Sequence, residues 1–199
     1  VTTGIQNPLI GGLAGDALQD ADANVAIGYQ ALTVDTLGSR SVAVGFSALR
    51  FQASGSAVET YNVAVGHAAG ETVTTGTQNT LIGGLAGDNL NSSSANTAVG
   101  YAALSSEDSH GYNTAIGHSS LTSQNAGAQA NNVAVGYYSG FSTSTGVDNT
   151  FLGTGTGGFC TTGANNTFVG KYAGLGITGA KLTGANNTAI GRNTGALLQ

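Results

Sequence analysis

The chain has 199 residues, including 33 glycines and one proline, with 8% charged residues, 40% hydrophobic residues and a net charge of −5. Its five cations are scattered, which excludes a nucleic-acid surface because such a surface needs a concentrated basic face. No apolar run approaches the roughly 18 residues of a membrane-spanning helix, so we expect no membrane insertion.

One five-residue element recurs along the whole chain: asparagine, a β-branched residue, a small or apolar residue, an aliphatic residue and glycine. In chain order the copies read NPLIG, NVAIG, SVAVG, NVAVG, NTLIG, NTAVG, NTAIG, NVAVG, NTFLG, NTFVG and NTAIG. Successive glycines are 17 residues apart in seven of ten intervals, and 21, 19 and 21 apart in the others. The chain is therefore predicted to be a single repeat domain, residues 1–199. Its units are centred on Gly11, Gly28, Gly45, Gly66, Gly83, Gly100, Gly117, Gly136, Gly153, Gly170 and Gly191.

A period of 17 residues is too short for a helix–turn–helix repeat and suits one turn of a β-solenoid. Each element is rich in valine, isoleucine and threonine, which favour strands, and turn-forming segments such as TTG and TGANN separate the elements. The sequence therefore predicts an all-β fold, a β-solenoid of about eleven 17-residue repeats. Residues 3–16 match residues 75–88 at twelve of fourteen positions, which indicates a duplicated block of four units.

Alternation along each strand divides the element between two faces. We expect the aliphatic residue before each glycine to form an internal structural ladder in the core of the coil. Its members include Ile27, Val44, Val65, Ile82, Val99, Ile116 and Val135. The opposite face, represented by Ala26 and Ala98, is apolar too. Because a strand that is apolar on both faces needs cover on both, we predict packing against neighbouring copies.

Two further columns of side chains are expected to be structural. The repeated asparagines are predicted to bond to one another between turns and to satisfy turn backbone groups, with sugar binding as the alternative. His67 and His118 follow repeat glycines at the position held elsewhere by Tyr29, Phe46 and Tyr101. We therefore expect a ladder of flat side chains here rather than a metal site.

The segments SVAVGFSAL, NVAIGYQAL and NTAVGYAAL resemble the head repeats of YadA-like trimeric autotransporter adhesins and the NTAVGYxAL arrays of phage tail fibres. The resemblance covers essentially the whole chain. It implies a left-handed parallel β-roll, in which three chains pack around a shared axis as a homotrimer. It also implies a structural or adhesive role in a virion or on a cell surface, with no catalytic residues to carry over. A phage tail fibre that spaces or contacts the host surface is the first expectation, and a bacterial adhesin head is the alternative.

Three long units insert residues between Leu49 and Tyr61, between Leu121 and Asn131, and between Gly174 and Asn186. We expect the extra residues to leave the coil as protruding loops, which often form the binding face of a solenoid. The candidate contacts to a host-surface glycan or protein receptor are Phe51, Gln52, Tyr61, Gln124 and Asn125.

Signals of enzyme chemistry are weak, so we expect no enzyme, cofactor or metal. Gly153, Gly155 and Gly158 spell the dinucleotide-binding motif G-x-G-x-x-G, but this motif needs a βαβ unit and a later acidic residue, and no acidic residue follows Asp148. The cluster of Asp16, Asp20 and Asp22 is better read as a solvated turn than as a calcium loop.

Two other functions stay open as weaker alternatives. An ice-binding solenoid would show a flat ladder of threonines, and Thr80, Thr97 and Thr114 occupy one column. Valine occupies the same column in other repeats, so the shape of the side chain matters more there than a hydroxyl group. This exchange fits a buried column and not an ice-binding one. A glycan-degrading tailspike would need paired carboxylates in a groove, whereas most of the ten acidic residues fall in turns.

Overall fold

The structure is a computed structural model that describes residues 2–107, 109–176 and 182–195. Within this part it contains short strands and no helix, and accordingly no helix that is long and apolar enough to cross a membrane. The strands are β1 (Leu9–Ile10), β2 (Val25–Ile27), β3 (Gly38–Ser39), β4 (Val42–Val44), β5 (Val58–Glu59), β6 (Val63–Val65), β7 (Thr80–Ile82), β8 (Thr97–Val99), β9 (Thr114–Ile116), β10 (Val133–Val135), β11 (Thr150–Leu152), β12 (Thr167–Val169) and β13 (Thr188–Ile190).

The repeat elements form one parallel sheet of eleven strands, in which each strand pairs with those one turn before and after it. Register is constant, so that Val42 pairs with Val25 on one side and with Val63 on the other. The strands β3 and β5 form a separate parallel pair. The predicted β-solenoid of about eleven turns is confirmed. Turns are numbered below by their repeat glycines, from Gly11 in turn one to Gly191 in turn eleven.

The predicted assignment of the two strand faces is wrong, because the structure reverses it. The residue two before each repeat glycine points into the coil and is buried, as in Ala26 and Ala98, both 0% exposed. The ladder residues point outward instead: Val65, Ile82 and Ile116 are 36%, 40% and 38% exposed, and Ile27, Val44, Val99 and Val135 are half-buried. Volume fits the reversal, since seven of the eleven inward residues are alanine, whereas the outward positions carry mostly β-branched side chains.

In eight of the eleven turns a pair of interior positions combines one large and one small residue. Where the inward strand residue is large, the fourth residue after the repeat glycine is itself glycine, as for Leu81 with Gly87 and Phe151 with Gly157. A Cβ on Gly157 would lie 2.6 Å from the Phe151 ring. Where the inward residue is alanine, leucine can hold the fourth position, as for Leu104 beneath Ala98. Core packing therefore couples two positions in one turn.

The repeated asparagines form the predicted ladder inside the coil. The Asn79 side-chain oxygen accepts the backbone N–H of Asn96 at 3.0 Å, and the Asn79 Nδ2 donates to the backbone oxygen of Ser93 at 2.8 Å. The same contacts recur along the column, for example between Asn132 and Asn149 at 2.9 Å. Because these amides are buried and satisfied within the chain, the alternative that they bind sugar is wrong.

The repeat glycines allow the backbones of successive turns to approach closely after each strand. Gly45 has a φ of 139°, and a Cβ at this position would lie 2.3 Å from the backbone oxygen of Gly66. No other residue fits such a site without displacing the next turn, which explains why glycine ends every copy of the element.

Candidate functional site

The outward side of the eleven-stranded sheet is an uncharged and largely apolar surface, which we call the sheet face. It consists of the residues three before and one before each repeat glycine, and these are valine, threonine, isoleucine, leucine or the single proline throughout. Several are well exposed in the single chain: Val133 is 39%, Leu152 48% and Ile190 67% exposed. A surface with no charged side chain along its whole length is typical of an interface rather than of a solvated face.

A stack of rings lies along the edge of the sheet face, at the residue after the repeat glycine. The Tyr29 and Phe46 ring centroids are 5.6 Å apart, and Phe46 and His67 are 5.2 Å apart with an interplanar angle of 6°. A second run places His118 between Tyr101 and Tyr137, at 5.3 and 5.4 Å. The predicted ladder of flat side chains is confirmed.

The first two insertions leave the coil where the sequence predicts. Residues 55–57 and 127–129 are exposed, and a Cβ on Gly55 or Gly127 would meet no atom within 4 Å. The third insertion falls largely on residues 177–181, which lie outside the described residues.

Two of the five candidate contact residues are misplaced by the sequence analysis. Gln52 and Gln124 are 0% exposed, because the seventh residue after the repeat glycine points into the coil. The Gln52 Nε2 donates to the Asp35 carboxylate at 2.5 Å, and the Gln52 Oε1 accepts from Asn62 Nδ2 at 2.9 Å. Both glutamines are therefore core residues and cannot meet a receptor.

The other three candidates are at the surface but do not form one site. Phe51 is 39% exposed and packs under the Arg50 guanidinium, 4.7 Å from the ring centroid. Asn125 is exposed at the base of the second loop, four turns away. Tyr61, 45% exposed, lies beside a separate polar cleft at the first loop, where its hydroxyl bonds to the lining residue Glu59.

The polar cleft beside the first loop has a volume of about 260 Å³ and is lined by Asp20, Asp22, Arg40 and Glu59 among others. Arg40 pairs with Glu59 at 2.9 Å, and the Tyr61 hydroxyl donates to Glu59. This hydrogen bond, followed by slight burial and the Glu59 charge, raises the pKa of Tyr61. Arg40 and Glu59 thus neutralise each other, whereas Asp20 and Asp22 bond only to neutral donors and leave the cleft acidic.

Side chains suited to metal binding or nucleophilic chemistry are not gathered into a site among the described residues. No group of three or more histidine, cysteine, aspartate or glutamate side chains there could hold a metal ion. Asp20 and Asp22 instead accept hydrogen bonds from Thr3 and Ile5 in the preceding turn. Burial raises the pKa of the Cys160 thiol to about 11, so this thiol stays protonated at neutral pH.

A second apolar feature, which we call the slot, lies beyond the ring stack in turns eight to ten. Tyr138 and Phe141 form one side, and Tyr172 and Leu175 form the other. Two glycines of turn nine, Gly155 and Gly158, lie between the two sides, and the volume is about 340 Å³.

No single repeat predicts the slot, because its lining residues come from three successive turns. Reading the second and fifth residues after each repeat glycine down the chain reveals it: tyrosine, glycine, tyrosine at one position and phenylalanine, glycine, leucine at the other. No known family model, characterised protein or solved structure matches the chain.

Proposed function

We propose that this chain is a structural and adhesive section of a homotrimeric surface fibre, of the kind found in phage tail fibres, that spaces or contacts a host surface. The observation that carries the proposal is the sheet face, which is largely apolar, uncharged and as long as the coil itself. Such a surface, left open to water, favours association through the hydrophobic effect.

The direction of the sheet face fits a fibre. Its strands stack about 4.8 Å apart, so that eleven strands extend for about 50 Å along the coil. Chains that meet along this face lie side by side, and their coils share one long axis. The resemblance to adhesin heads and tail-fibre arrays favours three chains rather than two. Although the two strand faces are reversed relative to the prediction, one uncharged face still remains open for assembly. Only the side chains that make the contact between chains differ.

The test is the mass of the protein in solution, measured by light scattering coupled to gel filtration. We expect the wild-type chain to have three times its monomer mass of 19.5 kDa. Val99→Asp places a carboxylate on the sheet face and is expected to give a soluble monomer with the circular dichroism of the folded coil, because the charge resists burial between chains.

Asn125→Asp provides the matched control, since it adds a carboxylate at an exposed residue away from the sheet face. It should leave the trimer intact. A wild-type chain that is a stable monomer contradicts the trimer, and a Val99→Asp variant that stays trimeric contradicts the interface.

One observation favours a second candidate, an ice-binding solenoid. Thr80, Thr97 and Thr114 are aligned on the outward sheet face, contrary to the burial that their exchange with valine led us to expect. Ice-binding activity would require this face to remain free. If the wild-type protein is a monomer and depresses the freezing point of water without changing its melting point, its function is ice binding and not fibre formation.

A further inference from the structure

We propose that the slot of turns eight to ten binds the ring of an acidic sugar residue. The ring would lie between the aromatic side chains, and its carboxylate would face Lys171. Binding needs only the slot itself, whereas the idea that such a glycan is met on a host surface rests on the proposed fibre function.

The slot is built by three successive turns in register. Tyr138 and Phe141 of turn eight pack edge to face, with ring centroids 4.8 Å apart. The backbone N–H of Gly155 in turn nine donates to Tyr137 at 2.8 Å, and that of Tyr172 in turn ten donates to Thr154 at 3.0 Å. The backbones of turns eight and ten are therefore two rungs apart, about 9.6 Å, with the glycines of turn nine between them.

The two glycines are what keep the slot open. A Cβ on Gly155 would lie 2.6 Å from the Tyr172 ring, and a Cβ on Gly158 would lie 2.9 Å from Leu175 Cδ1. In no other repeat of the sequence are both the second and the fifth residues after the repeat glycine glycines. The residues that spell a dinucleotide-binding motif thus serve, in this fold, as the floor of a surface slot.

The lining fits a flat ring with one apolar face. Its volume of about 340 Å³ falls at the lower end of the range for small-molecule sites, about 300–1,000 Å³. Aromatic side chains form most of its wall, and the lining is almost wholly apolar. The C–H faces of a pyranose ring pack on such rings, while its hydroxyls reach the phenols and water at the rim.

Charge at the rim favours an acidic sugar over a neutral one. The Lys171 Nζ lies 5.0 Å from the centroid of the Tyr172 ring. Arg192 is beside Lys171 in the next turn, where the backbone N–H of Asn193 donates to Lys171 at 3.1 Å. Within residues 2–107, 109–176 and 182–195 neither cation forms an ion pair. Residues 149–199 contain three cations and no acidic residue. A carboxylate on the ligand would supply the missing partner.

A saturation-transfer NMR titration of the intact chain tests the proposal. The probes are the methyl glycosides of galacturonic acid, glucuronic acid and N-acetylneuraminic acid, each with its carboxylate methyl ester, and adenosine monophosphate. We expect saturable binding of at least one acid below about 10 mM, and weaker binding of its uncharged ester. The proposal is overturned if no acid shows saturable binding in this range. Equal binding of an acid and its ester overturns the acidic specificity. Preferred binding of adenosine monophosphate would mean that the slot takes a nucleotide and not a sugar.

Three variants place the ligand. Gly158→Leu fills the slot at a residue where the mobile end of Leu175 must move and the Gly155 backbone oxygen, 3.2 Å from the new Cβ, must shift slightly. It should weaken binding by about tenfold or more. Tyr138→Asn removes one aromatic side of the slot, and asparagine tolerates the positive φ of 54° at this residue. Tyr112→Asn is the control, because Tyr112 is exposed and has a similar φ of 67°. Lys171→Gln should abolish the preference for the acid over its ester. Unchanged binding in Gly158→Leu and Tyr138→Asn overturns the slot.

The outcome is separable from that of the fibre proposal. A monomeric wild-type chain that binds the acid in the slot contradicts the fibre and keeps the site. A trimer that binds none of the acids keeps the fibre and contradicts the site. The variants are compared only where their thermal midpoints and masses match those of the parent chain.

Discussion

Neighbouring polar side chains complete the hydrogen bonding of the asparagine ladder at the one repeat that lacks asparagine. Ser41 holds the position, and its hydroxyl contacts Thr60 Oγ1 at 2.5 Å and Gln52 at 3.1–3.2 Å. Gln52 in turn bonds to Asn62 in the next turn and to Asp35 in the preceding one. A buried polar network is stable only when its members are satisfied, and here one glutamine joins three turns.

A half-buried carboxylate gives a pH-dependent prediction at the same scale. Burial, and secondarily the charge of Glu71, raise the pKa of Asp88, and its Oδ1 has no hydrogen-bond partner among the described residues. The folded state therefore holds this proton more tightly than the unfolded state, so that stability is lost as the pH rises through the raised pKa. Asp88→Asn is expected to raise the thermal midpoint at pH 7, with the gain disappearing below about pH 4.

Calorimetry or circular dichroism melts at both pH values check this prediction. Asp16→Asn is the matched control, because Asp16 occupies the equivalent residue of the duplicated block and is exposed. A gain of the same size at both pH values would mean that the amide acts through packing and not through the charge.

At the scale of the element, the strands could be predicted and their orientation could not. The period and the alternation place one strand of the main sheet within each five-residue element, as observed. Alternation alone leaves open which set of side chains is inside. The deciding information is volume, because alanine at one position is combined with leucine six residues later, as Ala98 is with Leu104. The two positions come together only when the chain is wound into a coil.

The volume coupling leads to a double-mutant prediction in turn six. Ala98→Leu alone should destabilise the coil by about 1–3 kcal/mol, because Ala98 is fully buried and Leu104 already fills the turn. Leu104→Gly alone should also destabilise it, since it leaves a cavity.

The double variant reproduces the combination of Leu81 and Gly87 found in turn five, and glycine suits the positive φ of 53° at residue 104. We expect it to be more stable than the sum of the two single effects allows. Denaturant unfolding of the four proteins measures the coupling. Additive effects would show that the two side chains do not compete for one space.

On the scale of the whole molecule, candidate sites separate into those that depend on one turn and those that depend on several. The exposed loops were predictable because a rung has a fixed perimeter, so extra residues must leave it. The burial of Gln52 and Gln124 was not predicted, although the aligned residues Leu18 and Leu90 already mark that position as internal. The slot arises between turns eight, nine and ten, so no single repeat contains its signal.

The two described loops also leave the coil on the same side. Ala53 and Asn125 each lie eight residues after a repeat glycine, and each donates its backbone N–H to the next turn, to Thr74 at 2.9 Å and to Ser144 at 2.7 Å. Because register is constant along the sheet, equivalent residues stack in one column. The loops therefore project from one edge, four turns or about 20 Å apart.

Limited digestion with elastase, which cuts after small residues, tests this arrangement on the intact protein. We expect the first cuts within residues 55–57 and 127–129, since these are exposed and make few contacts. The cut chain should keep its circular dichroism and its mass in native gel filtration, because turns in a solenoid are held by their neighbours on both sides of each loop. Deletion of Gly127 and Ala128 restores the 17-residue spacing and should abolish the second cut alone. First cuts inside the three-residue strands, or separation of the fragments under native conditions, would contradict a continuous coil with two loops on one edge.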